Sequence, residues 1–244
     1  MHERSRDTGP LRFLVAMPWG RVGSNLLAGI LARSLEPGRL RMASEELTVH
    51  PDWDADAQLA WLAGHYALGA RVDPASPVTH IGSREAVRAV RDPARFSAQC
   101  AEGAIRVVRM RRANLVKAAV SQIRARDHAD ATGRWPVGPD RPPPGPMHID
   151  PARLRSVIDT MAAADRTLMA MFAGCAIHDV EYADLCDELD GTVRGVRDFL
   201  AMGHRPYRVP DVKVTPDDLG AAIANFAEVA AALRGTPYAR GLEE

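Results

Sequence analysis

The run Pro18-Trp19-Gly20-Arg21-Val22-Gly23-Ser24-Asn25-Leu26-Leu27 concentrates groups that can hold an anion. Arg21 offers a planar fork of donors, and Ser24 and Asn25 add hydrogen-bonding side chains. Glycine lets the backbone approach a ligand closely. Such charge-assisted hydrogen bonds contribute about 1.5–3 kcal/mol each, so three or four hold a phosphate without help from net charge. The plainer alternative is that Gly23-Ser24 makes a turn and caps a helix. A nucleoside triphosphatase loop requires a lysine directly after its last glycine, and Ser24 stands there instead.

A second concentration of charge lies further on. Arg106, Arg109, Arg111 and Arg112 fall within seven residues, and Ser121 follows two helical turns later. If the strand ends among these arginines, its cations reach the same sheet edge as the first loop. The alternative is a solvated, charged strand end.

The elements that must position these groups are legible from periodicity. Leu11 to Met17 is a short apolar run that predicts a buried parallel strand. From Asn25, residues Leu26, Leu27, Ile30 and Leu31 recur at helical spacing until Pro37-Gly38. A strand followed by a loop and a helix presents unpaired N–H groups and a partial positive charge at the sheet edge. Leu40 to Ala43 reads as a short strand, 53–70 as a helix, and Pro77 to Ile81 as a strand. Ala104 to Met110 reads as a core strand and Asn114 to Arg126 as a helix. Six prolines between Pro136 and Pro146 predict a long loop, suited to a lid over an acceptor together with Trp135. Asp150-Pro151 starts a helix, Ile177 to Val180 is a brief strand, and Thr192 to Met202 is helical. Thr215-Pro216-Asp217-Asp218 opens a helix that continues through Ile223, Phe226, Val229 and Leu233. Strands alternate with helices, so the expected fold class is α/β. The expectation is a loose tail over 1–10 and a single domain over 11–244, with a central, mainly parallel sheet flanked by helices.

Composition narrows the function classes. The 244 residues carry 31 basic and 31 acidic side chains, so bulk charge does not recruit a polyanion such as nucleic acid. Hydrophobic residues at 46% support a sizeable core. Cys100, Cys175 and Cys186 are odd in number and widely spaced, which argues against a disulfide scaffold and for a reducing, cytoplasmic compartment. The histidines, among them His65, His128, His148, His178 and His204, show no metal-ligand spacing, so no metal is expected. The polar start of the chain reads as no secretory signal, and no run approaches the length of a membrane span. Oligomeric state is open, homo-oligomers included.

Arg21-Val22-Gly23-Ser24-Asn25-Leu26-Leu27 resembles the 5′-phosphosulfate loop of sulfotransferases that use 3′-phosphoadenosine 5′-phosphosulfate (PAPS). That loop reads basic-Ser-Gly-Ser/Thr-Thr and opens the first helix. Arg106 through Ser121 resembles the family's strand ending in arginine, followed by a helix whose serine joins that arginine at the 3′-phosphate. Val180-Glu181-Tyr182-Ala183-Asp184-Leu185, followed by Phe199-Leu200, is similar to the family's Tyr-Glu-Asp-Leu segment and the helix after it. Val212-Lys213-Val214-Thr215-Pro216, Asn225 and Gly235-Thr236-Pro237-Tyr238 are similar to the tail of bacterial members. Together these segments cover most of residues 11–240.

The resemblance implies a P-loop-like sulfotransferase that moves a sulfuryl group from PAPS to a hydroxyl or amine of a small-molecule acceptor, such as a sugar or natural product. It implies that Gly20, Arg21, Val22, Gly23, Ser24 and Asn25 hold the 5′-phosphate, with Arg21 also stabilising the leaving group. It implies Arg112 and Ser121 at the 3′-phosphate. The family spacing is eight residues and Arg112 lies nine before Ser121, so Arg111 stays open as the alternative. Arg84 stands near where many members carry a lysine. Lys213, in a basic loop with Arg205 and Arg208, is expected to fold over the nucleotide. In bacterial sugar sulfotransferases a glutamate at about the distance of Glu46 serves as base. Glu46 is the first candidate and Glu45 the second, because neighbours in an extended segment point to opposite sides. His50 competes, since an ordinary imidazole titrates near neutrality. Two rival readings are a small-molecule kinase of the same architecture and a non-catalytic, nucleotide-binding descendant.

Overall fold

The computed structural model describes residues 9–67, 78–133, 145–207 and 218–243. Five strands form one sheet: β1 (Leu11–Met17), β2 (Leu40–Ser44), β3 (His80–Ala86), β4 (Arg106–Arg111) and β5 (Ile177–Glu181). Their order is β2-β3-β1-β4-β5, and every neighbouring pair is parallel. Ten helices accompany them among the described residues: α1 (Ser24–Ser34), α2 (Glu46–Val49), α3 (Ala55–Ala67), α4 (Pro93–Glu102), α5 (Leu115–Thr132), α6 (Pro151–Ala170), α7 (Tyr182–Asp187), α8 (Leu189–Phe199), α9 (Leu219–Ala222) and α10 (Phe226–Leu233).

Both faces of the sheet are covered, as a parallel sheet requires. Phe13, Val15 and Met17 point to one side, where Leu27 and Leu31 of α1 and Val196 of α8 pack on them. Leu14 and Ala16 point to the other, against Leu62 and Tyr66 of α3, Phe96 and Cys100 of α4, and Phe172. A third cluster, away from the sheet, joins Val116, Val120 and Ile123 of α5 to Leu154 and Ile158 of α6, and Val229 and Leu233 of α10. Among the described residues no helix is long and apolar enough to cross a membrane.

The structure bears out the α/β reading and the single mainly parallel sheet, here parallel throughout. It corrects several element boundaries. β3 lies later than Pro77–Ile81. Its second half, Gly82-Ser83-Arg84-Glu85, is too polar to read as core, yet every residue of the strand is buried. Gly82 is required there, because a Cβ would stand 2.3 Å from Cζ of Phe13. The expected long C-terminal helix is two short ones. Asn225 bridges Ile149 through both its amide oxygen and nitrogen, at 2.9 Å each, and Ala224 N–H donates to the Met147 carbonyl. Those bonds break the helix between Ala222 and Phe226. α4 escaped periodicity because it buries only Phe96 and Cys100. Most of the proline-rich loop, including Trp135, lies outside the described residues, as does Thr215-Pro216-Asp217.

The sheet order creates a crevice. The connection after β1 leads by α1 to β2 on one side. The connection after β4 leads by α5 and α6 to β5 on the other. β1 and β4 are neighbours, so their carboxyl ends flank a topological switch point, where open α/β sheets bind ligands.

Candidate functional site

The loop from Pro18 to Gly23 leaves the carboxyl end of β1 in a constrained path. Arg21 has φ 70, a left-handed conformation that strains a residue with a Cβ. Gly23 has φ 78, and a Cβ there would lie 3.0 Å from Leu185 Cδ1 and 3.1 Å from Tyr182 Cδ2. Both the backbone angle and the packing therefore demand glycine at this position. α1 starts directly after it with no side-chain cap and no acidic residue in its first turn. By contrast α4, α5 and α6 are capped by Asp92, Asn114 and Asp150. The N–H groups opening α1 thus face the crevice without an internal anionic partner among the described residues.

The two separated sequence signals meet at this point. Arg21 Nε donates to Ser121 Oγ at 2.9 Å, and Arg112 Nη1 donates to the Arg21 carbonyl at 3.2 Å. Arg112 also lies over the Tyr182 ring, its Cζ 4.3 Å from the centroid. Glu181 ties the turn down, accepting from Ala113 N–H at 2.8 Å and Tyr182 N–H at 3.1 Å. Burial lowers the pKa of Arg21, partly countered by Tyr182, and among the described residues no carboxylate pairs with it. A desolvated cation held only by a hydroxyl is a strong invitation to an anion.

The other arginines of the second cluster have different roles from the one expected. Arg106 lies at the start of β4, not at its end, and donates to the Phe199 carbonyl. Arg109 is buried mid-strand in a bidentate pair with Asp179, at 2.6 and 2.8 Å, which depresses the Asp179 carboxyl. Arg111 forms a bidentate pair with Asp165, at 2.8 and 2.7 Å. The four arginines therefore do not form one basic patch, and Arg112 is the one in contact with the first loop.

Gly20 lies against α5, where a Cβ would stand 3.7 Å from Gln122 Oε1. Val22 is buried under the loop, Ser24 is buried, and Asn25 is exposed. Arg84 is buried beneath the start of α1. It donates to Ser44 Oγ at 3.0 Å and approaches Ser24 Oγ at 3.5 Å. It also pairs with Glu45 at 2.8 Å. Glu45 and Glu46 do not lie in an extended segment. Glu45 has φ 58 and Glu46 begins α2. Glu45 is committed to Arg84, whereas Glu46 lies 3.8 Å from His50 Nε2, with His50 stacked on Trp53 at 4.2 Å. Lys213 and Arg208 lie outside the described residues. Arg205 pairs with Glu36 at 2.8 Å, just beyond the C-terminal end of α1. An eleven-residue helix, about 16 Å at the usual rise, separates it from the first loop.

Two residues near this site carry no sequence signal. Glu85, in β3, is buried and accepts N–H bonds from Glu46 at 3.2 Å and Leu47 at 3.1 Å, fixing the acidic turn. Burial pushes its carboxyl up to about 8. Arg88, on the turn after β3, lies over the Trp19 ring with Cζ 4.4 Å from the centroid. Only the positions of neighbouring elements reveal either one.

Solved structures similar to this chain include the crystal structure of a sulfotransferase from Alicyclobacillus acidocaldarius, at 15% identity and TM-score 0.46, covering 96% of this chain and 94% of that one. The sulfotransferase domain from the curacin biosynthetic pathway is similar at 15% identity and TM-score 0.43, covering 87% and 83%. No family model and no curated protein matches the sequence. The roles of individual residues therefore rest on the geometry of this chain.

Proposed function

We propose that this protein is a sulfotransferase that takes PAPS as donor and transfers the sulfuryl group to a small-molecule hydroxyl or amine. The observation that carries the reading is Arg21, a half-buried guanidinium with no carboxylate among the described residues, joined to Ser121 across the switch point. The sequence resemblance supplies the chemistry that such a pair of anion-binding turns serves. PAPS supplies the activated sulfuryl group and has a phosphate at each end of its ribose. The α1 N–H groups and Arg21 hold the 5′-phosphate side, and Arg112 with Ser121 holds the 3′-phosphate side.

Positioning and charge stabilisation are the main demands of such a transfer. Arg21 takes up charge on the leaving 5′-phosphate as its S–O bond breaks. A carboxylate receives the acceptor's proton as the new bond to sulfur forms. Glu46 fits that role better than Glu45, because Glu45 is held by Arg84. The nucleotide runs from β1 toward β4 and α5. The acceptor then lies on the opposite side, over the ends of β3 and β2, where the acidic turn sits.

Calorimetry with adenosine 3′,5′-bisphosphate tests the reading. Wild type is expected to bind it, and Arg21→Ala and Ser121→Ala to weaken it by at least tenfold and about threefold, from the hydrogen bonds removed. Wild-type affinity in both variants would remove the two-phosphate assignment. Glu46→Gln is expected to keep nucleotide affinity and lower the transfer rate of labelled sulfate by about 10²-fold or more, the usual worth of a general base. Magnesium-dependent phosphate transfer in place of sulfate transfer would favour the kinase alternative.

A further inference from the structure

We propose that Arg88, seated on Trp19, forms an oxyanion subsite for the acceptor. The acceptor is then a hydroxyl compound that carries a carboxylate or phosphate of its own. This rests on the sulfotransferase reading and names its acceptor class.

The placement comes first. Trp19 belongs to the loop that leads into Arg21, and it packs against the α5 cluster. Arg88 sits on the turn Val87–Ala89, directly after β3, on the side of β1 away from β4. That is the side left for the acceptor once the nucleotide occupies the β1–β4 crevice. Burial lowers the pKa of Arg88, with Glu45 raising it and Arg126 lowering it to smaller extents. Two elements, the β1 loop and the β3 turn, therefore meet at this guanidinium.

Its bonding comes second. Among the described residues Arg88 has an aromatic face beneath it and no carboxylate or carbonyl within hydrogen-bond distance. Arginine carries five N–H donors, and stacking on an indole holds the group in place while leaving its edge donors unused. The carboxylate whose charge reaches Arg88 is engaged elsewhere, because Glu45 is bound to Arg84 at 2.8 Å. A guanidinium held on an indole, with donors to spare, is well placed to meet a ligand oxyanion. Glu46, on the adjoining turn, would then meet the hydroxyl of the same molecule. A neutral acceptor gains nothing from this arrangement.

Transfer of labelled sulfate from PAPS would be compared across matched acceptors: glucose against glucuronate and glucose 6-phosphate, and benzyl alcohol against hydroxymethylbenzoate. The expected result is at least a tenfold higher kcat/KM for the charged member of a series. In Arg88→Gln that charged-to-neutral ratio is expected to fall at least tenfold, with partial recovery in Arg88→Lys. The two charged sugars tell a carboxylate preference from a phosphate preference. Equal rates on charged and neutral members, no rate on any charged member, or an unchanged ratio in Arg88→Gln would overturn the proposal. Bisphosphate binding is measured in parallel. Its absence in wild type would overturn the sulfotransferase reading and this subsite with it, whereas binding with no charge preference would overturn the subsite alone.

Discussion

Arg21 is a side chain that costs the fold and that the proposed function turns to use. Its φ of 70 strains a residue with a Cβ, and its half-buried guanidinium has a hydroxyl for a partner where Arg109 and Arg111 have carboxylates. Replacing it by glycine removes the strain, worth about 1–2 kcal/mol, and adds a chain-entropy cost of about 0.5–1 kcal/mol. Arg21→Gly is therefore expected to leave stability to denaturant within about 1 kcal/mol of wild type, while affinity for adenosine 3′,5′-bisphosphate drops at least tenfold. Gly23 presents the opposite case. An alanine there meets both the left-handed φ and the contacts with Leu185 and Tyr182. Gly23→Ala is expected to destabilise by about 2–4 kcal/mol in urea unfolding, summing the backbone and overpacking terms.

At the scale of elements, the most informative piece is the four-residue helix α2. It is too short to be stable alone, and its N–H groups are held by Glu85 from the neighbouring strand. Glu45 and Glu46 face that carboxyl from the turn, and Arg84 precedes it in β3. Glu85 is neutral in both folded and unfolded chains below its ordinary value of 4.5. Between there and about 8 only the unfolded chain releases the proton, so stability falls as pH rises across that window and levels off above it. Glu85→Gln is expected to remove a slope of up to about 1.4 kcal/mol per pH unit, measurable as a flatter melting temperature between pH 5 and 8. An equally steep decline in the variant would show that Glu85 does not titrate in that range.

At the scale of the molecule, the crevice between β1 and β4 lies at the middle of the sheet, so a ligand proposed to bind there is expected to stabilise the fold. On the proposed function, adenosine 3′,5′-bisphosphate binds the folded chain alone, and at a hundred times its dissociation constant it is expected to stabilise by about 2.7 kcal/mol. For a chain of this size that is a melting-temperature rise of about 5–10 °C, and no rise would count against a nucleotide site. β1, α1, α5 and α6 were readable because their buried faces repeat with the period of strand or helix, and α5 and α6 carry side-chain caps. The β1 loop was readable because glycine, arginine and serine there have few other uses. β3 was not, since Ser83, Arg84 and Glu85 owe their burial to neighbours far away in sequence. Nor was the division of labour among the arginines. Asp179 and Asp165 stand opposite Arg109 and Arg111, and both acids are far from them in sequence. Local pattern thus determined most of the strands and helices and where to look for an anion site, because those depend on spacing within a few residues. Which cations stay available, which carboxylate is pinned and where the two turns meet depend on strand order, and only the folded chain decides that.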